Sequence, residues 1–293
     1  MNDLLSALAA RPLVCDGAMG TQLLAKGLAS GECGMLWNAE CADKVRGVHE
    51  AYRQAGCDLI TTNTFGGSSF ALDRHGLIDR MAELNLAGAQ NARQVAGDAA
   101  WVLGDVGPFG DFLEPLGEMS PEELREIFRL QIAALVEGGA DAILVETMVD
   151  PAEAEVALGA AKDCGSLPLI ATYAFKKTGD TEFRTIMGTS VGEAMERAIA
   201  AGAHIVGANC GTELSFPDYL ELARQMVRAA GKTPVLLQPN AGSPQIVGNE
   251  TVYCATPAEM AALVPALLQI GVRIIGGCCG TSPAHLAAMS RAV

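Results

Sequence analysis

Positive charge is scarce in this chain: 20 Lys and Arg stand against 34 Asp and Glu, for a formal net charge of -14. The acidic residues are dispersed rather than run together, so nucleic acid and anionic membrane surfaces are not expected as partners. Dispersed acidity is also a common solubility device, and a small amphoteric substrate or a basic protein patch stays open. No segment reaches the ~20 apolar residues of a membrane span. The start, MNDLLSALAARPLVC, is apolar but lacks a basic n-region, so the expected location is cytoplasmic, with no membrane association. There is no Pro/Ser-rich linker, charge run or low-complexity tract, and residues 1–293 read as a single domain. Paired C-x2-C spacing is missing too. Nine cysteines, an odd number without a secretory signal, argue against a disulfide framework and leave reduced thiols or metal ligands. Histidine is sparse: His49 and His285 fall inside predicted helices, His75 ends a helical stretch and His204 begins a strand, and none is given a catalytic role.

What the chain does have is apolar surface and glycine. Half of it is hydrophobic and 33 residues are Gly, enough for a sizeable core and many tight strand-to-helix turns. Eight short apolar runs, each followed by a helical stretch, read as buried parallel strands: 13–20, 58–65, 101–108, 142–148, 167–175, 204–211, 234–242 and 273–280. Helix starts are marked by a capping side chain before Pro at Ser120, Asp150, Thr256 and Ser282. The phrases QAGCD, EGGAD, AAGAH and QIGVR each place a Gly between a helix end and the next strand. Eight such units in this length predict an α/β fold, a (β/α)8 TIM barrel, with its active site at the C-terminal ends of the strands. The longer connections at about 22–38 and 176–190 read as loops over that face.

Strand ends therefore mark the residues that carry chemistry. They are Asp16 with Gly17, Asn63 with Thr64, Asp105, Glu146 with Thr147, Asn209 with Cys210, Asn240, and Cys278 with Cys279. Adjacent residues on a regular strand point to opposite faces. Gly276, Gly277 and Gly280 allow the chain to bend so that both sulfurs of the Cys278-Cys279 pair face one ion. Three thiolates are a soft donor set suited to zinc, and a three-ligand site leaves a fourth tetrahedral position for a substrate. The alternative, from the residues alone, is three buried cysteines acting as small hydrophobes. Asp16 can pair with a substrate amine or merely cap a turn. Glu146, on a buried strand, needs a partner.

In order along the chain, DGAMGT, TNTF, ETM, GANCG, PNAG and GGCCGT resemble the homocysteine-binding domain of the homocysteine S-methyltransferase family, and the resemblance runs nearly end to end. It implies a zinc-dependent barrel enzyme in which Cys210, Cys278 and Cys279 hold Zn2+, homocysteine completes the tetrahedron, and methylation of its sulfur gives methionine. It also implies a substrate set of Asp16, Gly17, Ala18, Thr64, Glu146, Asn209 and Asn240. Asp16 and Glu146 would face the amino group, with backbone N–H groups of the Gly17-Ala18 turn receiving the carboxylate. Asn240 would either fill the open zinc position through its amide oxygen or serve as a plain turn residue.

PNAG and GGCCGT resemble the cobalamin-dependent methionine synthase branch. Gly280 stands where the S-methylmethionine branch usually shows Arg, and the betaine branch lacks PNAG. The sequence carries neither the folate-binding nor the cobalamin-binding domain of those synthases, and Asp73-Arg74-His75-Gly76 is not the corrinoid signature D-x-H-x-x-G. The expectation is methylcobalamin supplied by a corrinoid-binding partner protein docked over the barrel mouth. The alternatives are direct use of S-methylmethionine, S-adenosylmethionine or betaine, with the 176–190 loop binding a small donor or a partner, another thiol acceptor or the reverse reaction, or a non-catalytic zinc scaffold or corrinoid-protein partner subunit.

Overall fold

The computed structural model describes residues 3–247 and 250–293. Eight parallel strands form one sheet: β1 Leu13–Val14, β2 Leu59–Thr61, β3 Trp101–Val106, β4 Ala142–Met148, β5 Leu169–Tyr173, β6 Ile205–Cys210, β7 Val235–Pro239 and β8 Ile274–Ile275. Their order around the ring follows the chain, with β8 beside β1, and a bridge between Cys15 and Leu59 brings β1 against β2. This is the expected (β/α)8 barrel.

Alternation along the strands sorts the side chains, because successive residues point to opposite faces. Leu59, Trp101, Leu103, Leu144, Ile170, Ile205 and Leu236 pack together as the apolar filling of the barrel. The residues of opposite parity, such as Ile60, Val102, Ile143, Ala171, Val206 and Leu237, belong to a second cluster shared with the surrounding helices. Leu4 and Leu8, on the helix Leu4–Ala10 that precedes β1, join the interior cluster and close the N-terminal end of the barrel. That segment is clasped in place by Arg11, which forms a two-pronged ion pair with Asp58, whose Oδ2 also accepts from the Val14 amide at 2.9 Å.

Continued two residues along the same face, the strands change character. Leu59 leads to Thr61, Leu103 to Asp105, Leu144 to Glu146, Ile170 to Thr172 and Leu236 to Gln238, while on β6 the step passes through Gly207 to Asn209. Gly207 is required there, since a Cβ would lie 1.9 Å from the Leu236 carbonyl oxygen. The apolar core is thus topped by a polar layer at the C-terminal rim.

Helix punctuation follows the sequence. Ser120 and Thr256 form capping boxes with Glu123 and Glu259, Asp150 accepts from the Ala152 amide, and the Ser282 amide donates to His285 Nδ1. Gly56, Gly139, Gly202 and Gly271 all have positive φ, as the helix-to-strand glycines require. The rim connections are more ordered than loops. Residues expected to form a loop at 22–38 include the helix Gly20–Ala25, a 3-10 turn at Gly34–Leu36 and the short helix Trp37–Glu40, while 176–190 contains a hairpin pairing Lys176–Lys177 with Phe183–Arg184. A second hairpin, Pro244–Val247 with Glu250–Tyr253, follows β7. The strands at 13–20 and 273–280 are shorter than expected, although single backbone hydrogen bonds run on past them, from the Asp16 amide to Leu59 and from the Gly276 amide to Leu237. Among the described residues no helix is long and apolar enough to cross a membrane.

Candidate functional site

Cys210 ends β6, and Cys278 and Cys279 follow β8 across the intervening end of β7. The Cys210 and Cys279 sulfurs lie 3.9 Å apart, those of Cys278 and Cys279 4.0 Å, and all three fall within 4.8 Å of one another. Among the described residues this is the only group of three or more Cys, His, Asp or Glu side chains close enough to hold a metal ion. Sulfurs about 2.3 Å from a tetrahedral zinc sit roughly 3.8 Å from each other, so the spacing fits that ion. Among the described residues no histidine lines the cavity beside the cluster.

Two backbone devices gather the sulfurs. The first is Gly-Gly before the pair. A Cβ at Gly276 would meet Cys15 Cβ at 2.8 Å and the Asp16 carbonyl at 2.9 Å, and one at Gly277 would meet Thr281 Oγ1 at 2.6 Å, so both positions need the smallest residue. The Cys278 amide then donates to the Pro239 carbonyl, continuing β8 against β7. The second device is Cys210 itself, which has φ 55° although it is not glycine. Its carbonyl accepts from the buried Tyr219 hydroxyl, which in turn accepts from the Asn240 amide at 3.3 Å, so one phenol ties the ends of β6 and β7 together.

The thiols share protons. Cys279 is pushed down to about 3 by hydrogen bonds received from Cys210 and Cys278. Cys278 is pushed well above the ordinary thiol value by donating to Cys210 and Cys279 and by burial. Cys210 rises to about 11, the bond it receives from Cys278 being outweighed by the one it gives to Cys279 and by burial. Three thiol sulfurs packed this closely form a soft donor set suited to a cation.

The sulfurs line one side of a cavity of about 510 Å³ at the C-terminal mouth of the barrel. Asp16, Gly17, Ala18, Thr64 and Glu146, expected from the sequence, line it as well, and so does Asp105, which sequence reasoning noted at a strand end but left outside the site. No Lys, Arg or His is among the lining residues. Asp16 accepts from the Thr61 amide at 2.8 Å and the Thr61 hydroxyl at 2.7 Å. Burial nevertheless raises its carboxyl to about 7. Burial, with the charges of Asp16 and Cys279, raises Glu146 to about 8, and Asp105 is raised well above the usual range by burial and the charges of Glu146 and Asp16.

Other expected residues are present with duties of their own. The Thr64 hydroxyl is tied to Thr62 and to the Asp105 carbonyl, holding β2 against β3. Asn209 accepts from Thr172 Oγ1 and the Thr147 amide, and donates to Thr147 Oγ1 and, at 3.7 Å, to the Cys278 sulfur. Asn240 turns its amide nitrogen, not its oxygen, toward Cys210 at 3.7 Å, while its Oδ1 is buried without a partner. The Ala18 amide, expected to face a carboxylate, donates to Thr281 Oγ1 at 3.1 Å. Thr281, Tyr219 and Tyr52, whose hydroxyl donates to the Ala18 carbonyl, went unnoticed in the sequence because nothing local in their spacing marks them.

The profile of the family described as Homocysteine S-methyltransferase matches residues 13–293. The chain belongs to that family. Methionine synthase of Mycobacterium tuberculosis (strain ATCC 25618 / H37Rv) is 33% identical over 309 residues, covering 99% of this chain and 25% of that protein. Methionine synthase of Mycobacterium leprae (strain TN) is 32% identical over 305 residues with the same shares. The chain thus spans about a quarter of the length of these curated relatives. Among solved structures, the homocysteine methyltransferase MmuM from Escherichia coli in its metallated form shares the fold with a TM-score of 0.79 at 23% identity, over 99% of both chains. Its oxidized form gives 0.80 at 23% identity over the whole of both chains. In this homocysteine S-methyltransferase family member, the conjunction of barrel mouth, three converging sulfurs and a carboxylate-lined cavity is the feature to be explained chemically.

Proposed function

We propose that this chain methylates homocysteine to methionine at a zinc site formed by Cys210, Cys278 and Cys279, with a methyl-corrinoid as donor. The observation that carries the reading is the convergence of three sulfurs on the wall of a cavity that also holds carboxylates and, among the described residues, no cationic side chain. Zinc held there by the three sulfurs would lower the pKa of a substrate thiol from about 8.5 into the neutral range, making it a usable nucleophile. Asp16 and Glu146 face the substrate's ammonium group, and the Thr61 hydrogen bonds hold the Asp16 carboxylate in place. Asn209 and Asn240 point amide nitrogens at Cys278 and Cys210, restraining the sulfurs and offsetting part of their charge. In the transfer itself the substrate sulfur attacks the methyl carbon, the new S–C bond forms as the bond to the donor breaks, and the electron pair leaves with the donor.

The rim supports delivery of the donor by a docked protein or domain. Leu24 after β1, Phe65 after β2, Phe112 and Leu116 after β3 and Ile186 after β5 are all exposed, Leu116 and Ile186 by 69% and 68%. Apolar side chains gathered on one face mark a surface that another body covers. The curated relatives that match this chain over a quarter of their length are methionine synthases, which favours a corrinoid. A second reading, a small diffusible donor, is favoured by the size of the cavity. Incubating zinc-loaded protein and homocysteine separately with methylcobalamin, S-methylmethionine, S-adenosylmethionine and betaine, and measuring methionine, tests both. Methionine from methylcobalamin supports the first, methionine only from a sulfonium or from betaine replaces it with the second, and none from any donor refutes the activity.

A further inference from the structure

We infer that Asp105 is a substrate-binding residue, the third acceptor for the ammonium group of the amino-acid thiol, and that it makes the site selective for thiols bearing an α-amino group. The inference rests on the homocysteine reading above.

Asp105 lies on β3 with the same parity as Trp101 and Leu103, so it faces the barrel interior, one step above the apolar filling. It lines the cavity with Asp16 and Glu146 and is only 3% exposed. Its main chain is fully employed: the amide donates to Thr62 Oγ1 at 2.9 Å and the carbonyl accepts from Thr64 Oγ1 at 2.7 Å. Its side chain is only partly so: the carboxylate accepts from the Val106 amide, but Oδ1 has no hydrogen-bond partner among the described residues. A buried carboxylate oxygen with no partner is costly, and a fold that needed only to fill this position would place an apolar residue there, as it does two residues earlier at Leu103.

The missing partner is a cation. An ammonium group offers three N–H donors and no acceptor. Each oxygen of Asp16 already accepts one hydrogen bond from Thr61, so Asp16 has limited capacity left for a ligand. Glu146 and Asp105 supply the remaining acceptors. Three carboxylates on three different strands, with no Lys, Arg or His lining the same cavity, match the three donors of one ammonium group. The carboxylates do not constitute a second metal site, since among the described residues only the cysteines cluster tightly enough for one.

Isothermal titration of zinc-loaded protein with homocysteine and with 4-sulfanylbutanoate, the same thiol acid without the amino group, tests the inference without relying on turnover. Asp105→Asn and Asp105→Ser should each weaken homocysteine binding by about 10- to 100-fold, the worth of one charge-assisted hydrogen bond, and leave 4-sulfanylbutanoate within about twofold. Retained affinity for the des-amino thiol also shows that the variant is folded. Unchanged homocysteine affinity in both variants, or equal loss of both ligands in both, overturns the inference and leaves the function reading standing. Wild-type protein that binds no homocysteine overturns the function reading and the role of Asp105 with it.

Discussion

Replacing Tyr219 by Phe should loosen the metal site from behind without touching a sulfur. The ring is buried on the helix Phe216–Ala230 and stays in place, so no large cavity opens. What disappears is one oxygen that serves two backbone groups, the carbonyl of Cys210 and the amide of Asn240. Each buried group left unpaired costs about 1–3 kcal/mol. Because the contact to Asn240 is long at 3.3 Å, the expected loss lies toward the lower part of the sum, about 2–4 kcal/mol. For a protein of this size that corresponds to a fall in the melting temperature of the metal-free form of roughly 3–7 °C. The released carbonyl belongs to a residue with φ 55°, a conformation that a side chain other than glycine holds only when its surroundings impose it. Cys210 should therefore relax away from the other two sulfurs, weakening zinc about 10-fold or more, as removal of an outer hydrogen bond commonly does. Thermal melts of metal-free protein and competition against a chromophoric chelator measure the two effects. A melting temperature within about 1 °C of wild type, or a loss of stability with zinc affinity unchanged, would refute the argument that this phenol shapes the site.

Substituting Ser for Cys210, Cys278 or Cys279 singly should abolish stoichiometric zinc binding, read by metal analysis after dialysis; retention of one equivalent by all three variants contradicts the assignment. Glu153 gives a pH-dependent prediction. Burial raises its carboxyl from 4.5 to about 7 although it accepts from the Phe109 amide at 2.7 Å, so the folded state prefers its protonated form. Stability from this group is thus fully present below about 4.5 and is lost as pH rises to about 7. Relative to wild type, Glu153→Gln should become more stable between pH 5 and pH 8, by at most about 3 kcal/mol, and a difference that is flat or declining with pH in denaturant unfolding would contradict this. At the rim, Leu116→Lys with Ile186→Lys should slow transfer from a protein-bound methyl-corrinoid by about 10-fold or more while sparing free methylcobalamin, as expected if two exposed apolar contacts are lost from a docking face. Equal rates with both donors would argue against docking there.

The barrel was legible because its signals are local. Apolar runs, capping side chains and the glycines at 56, 139, 202 and 271 each act within a few residues, and each performs the expected task. The sulfur cluster was legible at one remove: barrel geometry brings strand ends six and eight to one rim, so three cysteines far apart in the chain could be placed together. The second backbone device was not legible. The bend at Cys210 uses a cysteine at positive φ rather than a glycine, and it depends on Tyr219, a helix residue whose phenol reaches two strands at once. Asp105 was seen as a strand end but left unused, because its importance lies in the one carboxylate oxygen that lacks a partner, and that depends on every neighbouring strand. The hairpins after β5 and β7 escaped notice because two- and four-residue strands of mixed polarity carry no clear period.

The helix Leu4–Ala10 does more than fill space beneath the barrel. With Leu4 and Leu8 seated against the side chains that fill the interior and Arg11 latched to Asp58, the far end of the barrel is both packed and capped. The cavity is therefore blind-ended, and everything that enters or leaves must use the same doorway. Under the proposed reaction this dictates an order of traffic: the acceptor must be inside before a methyl carrier covers the entrance, and the product can depart only after the carrier has withdrawn. The sequence of events would then be set by the packed apolar side chains beneath the chemistry, which leave the barrel no second opening.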